Sequence, residues 1–267
     1  MTTLVLSSGR YSAEKPLANA ALNRGWNVAY LDESPDVASN ERILVYVDTS
    51  QALTAVDQFD LALLEPPLDL LCRLPQEFLN RNVQFARFAD LAKIRKPTFV
   101  KPADPLNKAF DAGIYSDVRA IRMLRPLPAD LPVLLAEPVH WLTEYRCFVL
   151  ENRIVATSPY LSFARPVWKP YGQGGELAVV PQPVLALCER LLQSDVILPP
   201  GCVVDIGMIE DRGWSVVEFN PAWCAGLLGA NPDGVLDVLQ RTCIANVDVS
   251  EDDRVWQRLA VTYKVTV

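Results

Sequence analysis

The chain carries a single histidine, His140, in 267 residues. That scarcity excludes a histidine-rich metal centre and any relay built on two imidazoles; His140 reads as a structural or site-lining residue. The six cysteines, Cys72, Cys147, Cys188, Cys202, Cys224 and Cys243, contain no CxxC pair, so the usual zinc and dithiol spacings are missing. Several sit inside apolar runs such as RCFVL and GCVVDI, and buried, reduced thiols are expected. Positive charge is also short, with 25 Lys and Arg against 32 Asp and Glu and a net charge of -7. That balance argues against a broad basic surface, and with it against duplex nucleic acid and anionic membrane as partners. No charged leader followed by an apolar core opens the sequence, and no run reaches the length of a membrane span, so a cytoplasmic protein is expected.

What is present is apolar residues, half of the total, enough to build one large domain or two modest ones. TLVLSS, AEKPLANAALNRG with its stop at Gly25, and WNVAYLD follow one another as strand, helix and strand, a pattern that implies a parallel sheet. RILVYVD and DLALLEPP read as further strands, followed by a mostly helical stretch from about Leu68 to Leu91. Residues 1–90 thus form a small α/β domain. From Pro97 the rhythm turns antiparallel. PTFVKP, RAIRMLRPL and LPVLLAEPV are candidate strands, and TEYRCFVL and RIVATSPYL form a hairpin around Glu151-Asn152. QPVLALCERLLQSD is an amphipathic helix with Val184, Leu187, Leu191 and Leu192 on its apolar face. The hairpin GCVVDIGMI and WSVVEFNPAW and a helix near DGVLDVLQRTC come last.

The last hairpin carries the most specific chemistry. With Asp211-Arg212 as a two-residue loop, Asp205 and Glu218 oppose each other directly, and opposed like charges destabilise a sheet unless something neutralises them. The period of two puts Asn220 on the same face as Glu218. Two carboxylates and an amide oxygen suit magnesium, which is commonly completed by water and substrate phosphates. The alternative is an ordinary solvated face, but Val203, Val204, Ile206, Val216, Val217 and Phe219 are apolar on both sides, and burial makes unpaired carboxylates costly.

Among the basic residues, Lys101 ends its strand at Pro102 and Lys108 lies in the following loop; each is either a surface lysine or a point charge for phosphate oxygens. Glu144 and Arg146 share one strand face, as site residues or as a cross-strand ion pair. Lys169 precedes the glycine-rich KPYGQGG, a loop suited to ordering over a ligand. Trp141, Trp168, Tyr171 and Trp223 are candidates for an acceptor pocket or for the core.

Taken in order, FVKP, AEPV, EYRCFVL, VVDIG and VVEFNPA resemble the ATP-grasp superfamily, and look closest to the clade in which the usual arginine is replaced by a lysine elsewhere. The resemblance implies an α/β leading domain (1–90) and a two-lobed α+β ATP-grasp domain (91–267) with antiparallel sheets. It implies Lys101, and Lys108 in place of a glycine-rich phosphate loop, on the phosphates of ATP. Glu137 and Val139 would offer backbone groups to adenine, with Glu144 at the nucleotide site. Asp205, Glu218 and Asn220 would hold Mg2+, and Arg146 or Lys169 would steady the transferred phosphate. The implied activity is ligation of a carboxylate, activated as an acylphosphate, to an amine or similar nucleophile, with a small molecule or peptide as substrate. The alternatives are a kinase-like phosphotransferase and a non-catalytic nucleotide-binding protein.

Overall fold

The computed structural model describes residues 1–7, 11–33, 41–107, 109–121, 126–162, 165–167, 169, 171, 173–174 and 179–258. The opening unit is β1 (Thr2–Leu6), α1 (Tyr11–Asn23), β2 (Asn27–Tyr30) and β3 (Arg42–Tyr46), with β1 pairing in parallel to both neighbours in the order β2-β1-β3. The fully buried Leu4, Val5 and Leu6 read as a continuous apolar run because a parallel strand is covered on both faces. Helix α1 stops where expected: Gly25 takes φ 72°, and the Trp26 N–H reaches back to the Ala21 carbonyl at 3.0 Å, a left-handed cap that glycine adopts without steric cost. Then come α2 (Ala52–Phe59), which the sequence reading does not pick out, and β4 (Leu61–Leu63). Strand β4 lies outside the parallel sheet, pairing antiparallel with a strand near the far end of the chain.

The stretch read as mostly helical is different. It contains a 3-10 turn at Leu70–Arg73, one turn of helix α3 (Gln76–Leu79), strand β5 (Val83–Arg87) and a 3-10 turn at Phe88–Lys93. Asn80 in the left-handed region (φ 46°) terminates α3 after that single turn. Strand β5 then joins β8 (Pro132–Ala136), β6 (Thr98–Pro102) and β7 (Gly113–Tyr115) in an antiparallel sheet of order β5-β8-β6-β7. Its core is Leu91, Val100, Phe110, Ile121, Leu131 and Val133. The expected strand RAIRMLRPL begins instead as a 3-10 turn, Val118–Ala120, whose first turn is capped by the Asp117 carboxylate accepting from the Arg119 N–H; residues 122–125 lie outside the described residues.

The second antiparallel sheet has five strands, ordered β11-β10-β9-β12-β13. These are β9 (Trp141–Leu150), β10 (Arg153–Ser162), β11 (Arg165–Pro166), β12 (Gly201–Ile209) and β13 (Gly213–Asn220), with α4 (Gln182–Leu192) between β11 and β12. The β9–β10 turn is the expected one, Glu151 and Asn152 both having positive φ (46° and 57°). Phe148 and Val203 face a core shared with the leading domain and with α5 (Pro232–Thr242). Cys147, Val149, Cys202 and Val204 face the opposite core beneath α4, and Val184, Leu187 and Leu191 are buried there while Leu192 is only partly covered. The leading domain docks through Arg24, just after α1, which pairs with Asp233 (2.8 Å) and Asp237 (2.7 Å) of α5. Strand β14 (Cys243–Ala245) then closes against β4. All six cysteines are free, five of them buried and Cys72 half-buried. Among the described residues no helix is long and apolar enough to cross a membrane.

Candidate active site

Asp205 and Glu218 are directly opposed, although the loop that joins their strands is not the one expected. Near the turn the pairs are Ile209↔Gly213 and Gly207↔Ser215, which leaves a three-residue loop, Glu210 to Arg212. Asp211 (φ 61°) and Gly213 (φ 89°) both turn through the left-handed region. A bulge at Val217 absorbs the extra residue, so the register beyond it brings Asp205 opposite Glu218 after all. Because β13 is an edge strand, the carbonyls at the bulge need partners from outside the ladder. Arg81 supplies them, donating to the Val216 and Val217 carbonyls at 2.8 and 2.9 Å while its guanidinium lies 4.8 Å from the Trp141 ring centroid. Trp141 in turn lies so close to Gly207 that a Cβ there would meet its ring at 2.6 Å.

On β9, Arg146 stands opposite Asp205, so a row of charge crosses three strands: Arg146, Asp205, Glu218. Arg146 forks both oxygens of the fully buried Asp205 (Nε–Oδ1 2.8 Å, Nη2–Oδ2 2.7 Å). It also donates to the Gly226 carbonyl at 2.9 Å and lies 5.1 Å from the Tyr160 ring centroid. Lys101 arrives from the four-stranded sheet and forms an ion pair with Glu218. The Asn220 amide bridges Asp205 Oδ2 (3.1 Å) and Glu218 Oε1 (3.0 Å). Two cations from the chain therefore offset the opposed carboxylates, the neutralisation that their opposition calls for. Burial works against the Glu218 charge, but Lys101 and Asn220 outweigh it and hold this carboxyl at about 2. Glu144, opposite Gly207 on the same face, has the reverse balance: burial, then the nearby Asp205 and Glu218, push it up to about 7 despite Arg146 and Arg81.

A cavity of about 300 Å³ opens beside this row, between the two antiparallel sheets. Phe99, Lys101, Leu134 and Ala136 line one side, and Arg81, Trp141, Val217 and Glu218 the other. The segment Glu137–Val139 that links the sheets closes one end. The Glu137 N–H is spent on the Asn82 carbonyl (2.9 Å) and its carboxylate on Arg212 (2.7 Å), so its carbonyl is the group it can offer a ligand. The expected residues Lys101, Glu137, Val139 and Glu218 thus border one cavity, with Asp205, Asn220, Arg146 and Glu144 adjoining it. Lys169 is exposed, lies against Gly174, and does not line this cavity. Lys108 and Trp168 lie outside the described residues. Trp223 is core, fully buried with its indole N–H on the Leu64 carbonyl, and Tyr171 is half-buried. His140 is exposed, its Nδ1 3.0 Å from Glu210 Oε2. Sequence reasoning missed Arg81; its only signal there is a basic residue just ahead of a strand that was itself not recognised.

A comparison with protein families matches residues 78–238 to an ATP-grasp domain, family 2 of its clade. The chain belongs to this family. Among solved structures it is similar to D-cycloserine synthetase DcsG, at 13% identity over 90% of this chain and 99% of that one (TM-score 0.54). It is also similar to N5-carboxyaminoimidazole synthetase from Staphylococcus aureus, at 10% identity over 92% of this chain and 78% of that one (TM-score 0.52). At such identities the likeness is one of fold: an α/β leading domain followed by two antiparallel lobes around a cleft. No curated protein sequence matches the chain.

The family implies a nucleotide and a divalent cation, and the side chains present fit both. Among the described residues no three His, Cys, Asp or Glu side chains cluster as a metal site. The donor set is instead two carboxylates and one amide. Glu218 and Asn220, half-buried beside the cavity, carry oxygens that suit a hard cation, whereas Asp205 is fully buried and held by Arg146. The apolar walls around Phe99, Leu134, Ala136 and Val217 are the kind that accept a flat ring, with charge concentrated at one end.

Proposed function

We propose that this protein is an ATP- and Mg2+-dependent ligase that activates a carboxylate as an acylphosphate for capture by an amine or a similar nucleophile. The observation that carries the proposal is the meeting of Lys101, from one lobe, with the Arg146–Asp205–Glu218–Asn220 row of the other, at the charged end of an apolar cavity. Adenine would lie against the Glu137–Val139 segment, which offers backbone groups, and the phosphates would reach Lys101, with Lys108 the second lysine proposed for them from the sequence. Magnesium would be held by Glu218 and Asn220, with Asp205 behind them, and when bound would offset charge on the transferring phosphate. Arg146 is fixed by Asp205 and Gly226, so its guanidinium is a preorganised charge that needs no rearrangement during the reaction. Lys169 is the candidate for the lysine that replaces the customary arginine, and Glu144 helps set the field of the site. The substrate would be a small molecule or peptide, and the reaction would take place in the cytoplasm.

The test is product analysis. Full-length protein with MgATP and a panel of carboxylates should release ADP and phosphate, and hydroxylamine should trap the activated acyl group as a hydroxamate. A phosphorylated alcohol would instead mark a kinase. Glu218→Ala with Asn220→Ala should abolish turnover while circular dichroism shows an intact fold. Wild-type turnover in that folded double variant would remove the magnesium assignment.

A further inference from the structure

The bulge at Val217 decides which side of the sheet the two magnesium ligands of the reading above occupy. Up to Ile206↔Val216 the pairing is regular; carried on without the extra residue, it would set Val217 opposite Asp205 and Glu218 opposite Val204. Side chains alternate along a strand, so that one-residue slip turns both Glu218 and Asn220 to the other face. There they would meet the apolar core beneath α4, where Cys202 and Val204 lie. The charged row exists only while the bulge does.

A bulge disrupts the ladder locally, and β13 has a neighbouring strand on one side only. In a regular strand successive carbonyls point to opposite edges. Here the successive carbonyls of Val216 and Val217 meet a single guanidinium, at Arg81 Nη1 (2.8 Å) and Nη2 (2.9 Å). A fork on that pair fits the bulged backbone and not the regular one. The fork is itself fixed, since Arg81 is buried, its Nη1 also donates to the Leu79 carbonyl at 3.1 Å, and its guanidinium packs against the Trp141 ring. Burial lowers the pKa of this guanidinium to about 10, with Glu144 and Glu218 favouring the charge, so it stays protonated at neutral pH.

We propose that Arg81 is the positioning residue of the magnesium site: it selects the bulged register of β13 and so holds Glu218 and Asn220 on the face of Asp205. It acts through the backbone, not by contact with the metal. Magnesium as the occupant rests on the ligase reading; the control of Glu218 by Arg81 does not, and can be measured with no ligand present. A role for charge alone would have the opposite sign. Arg81 is a cation whose field reaches Glu218, so removing a mere charge would strengthen the binding of a divalent cation, whereas removing a clamp weakens it.

Calorimetry with and without Mg2+ gives the factor by which the cation tightens binding of a non-hydrolysable ATP analogue to the full chain, a ratio in which any direct effect of Arg81 on the nucleotide cancels. Arg81→Met and Arg81→Lys should both reduce that factor at least tenfold, since lysine keeps the charge but not the planar fork. Asn80→Gly keeps the left-handed turn (φ 46°) and removes side-chain bonds to the Trp214 carbonyl (2.9 Å) and Ser215 Oγ (3.0 Å), on the turn side of the bulge. It should leave the factor within twofold of wild type. An unchanged or larger factor in either Arg81 variant, or an equal fall in Asn80→Gly, would end the proposal. Urea unfolding supplies the test without ligand. Lys101→Met should lower the urea midpoint by removing the ion pair to Glu218; in an Arg81→Lys background, where Glu218 has left the row, that shift should fall to less than half. A shift as large as in the wild type would mean that Glu218 keeps its place without Arg81, and would overturn the proposal. A wild type that binds no analogue, with this coupling intact, would overturn the nucleotide reading and leave the role of Arg81 standing.

Discussion

Two carboxylate clusters border or adjoin pockets that share Pro66, Pro67 and Leu68, and they differ in how many cations the chain brings to them. Asp205 and Glu218 are met by Arg146 and Lys101, one each. Glu65 and Asp104 share Arg258. In the first cluster Glu218 is held at about 2 against the effect of burial, chiefly by Lys101, while burial keeps the Asp205 carboxyl above its ordinary value despite Arg146; in the second, burial keeps Glu65 at about 7 with Arg258 only partly offsetting it. The protein resolves the first cluster internally and leaves the second in deficit. Matched charge is what a preorganised phosphate site requires.

The largest effect expected from breaking this contrast is in the matched cluster. Arg146→Met leaves the fully buried Asp205 carboxyl, already raised by burial, without its guanidinium, and removing one partner of such a pair costs about 3–5 kcal/mol. Urea unfolding should show that loss directly. Arg258→Met should cost less, because Glu65 is 11% exposed where Asp205 is 0%, so water reaches part of the charge left behind. Equal losses in the two variants would mean that the clusters are energetically alike.

The unmatched cluster should be visible in the pH dependence of stability. Burial raises the folded-state carboxyl of Glu65 from 4.5 to about 7. The folded chain therefore holds this proton more tightly than the unfolded chain does. The stability that Glu65 contributes is fully present below about pH 4.5 and is lost as pH rises through about 7, by at most on the order of 3 kcal/mol. Glu65→Gln should flatten that slope in unfolding curves measured across the window. An unchanged slope in the variant would assign it to other groups.

These differences show which parts of the molecule could be read from the sequence. Four strands of the five-stranded sheet, β9, β10, β12 and β13, were legible, β12 most plainly because both its faces are buried and it reads as a long apolar run, whereas the two-residue β11 was not read. Strand β5 was not: it lies at a sheet edge with Gln84, Phe85 and Arg87 exposed, and without a buried face no alternation marks it. The opposition of Asp205 and Glu218 was found through a loop one residue too short, and it survives because the bulge at Val217 restores the register. Arg81 could not be found that way, since its task exists only because that bulge sits on an edge strand. Arg146 was visible as a face-sharing partner of Glu144, but its fork on Asp205 depends on how β9 pairs with β12, a pairing that no local pattern states. The Glu65–Asp104–Arg258 cluster is less visible still, because its members come from three separate elements and meet only in the folded chain.

The smallest effect expected is also the sharpest test of charge counting. Asp104→Asn keeps the oxygen that accepts the Leu106 N–H at 2.9 Å and nearly the same shape, and removes one negative charge from the cluster. Glu65 and Arg258 then match one to one, as Asp205 and Arg146 do. Asp104 is the weakest of the influences on Glu65, behind burial and Arg258, so the change in stability at neutral pH should stay within about 1 kcal/mol. The pH at which Glu65 loses its contribution should nevertheless move down. A variant that loses stability heavily while the pH midpoint stays fixed would show that Asp104 acts by shape and hydrogen bonding, and that counting charges is the wrong way to separate the two clusters.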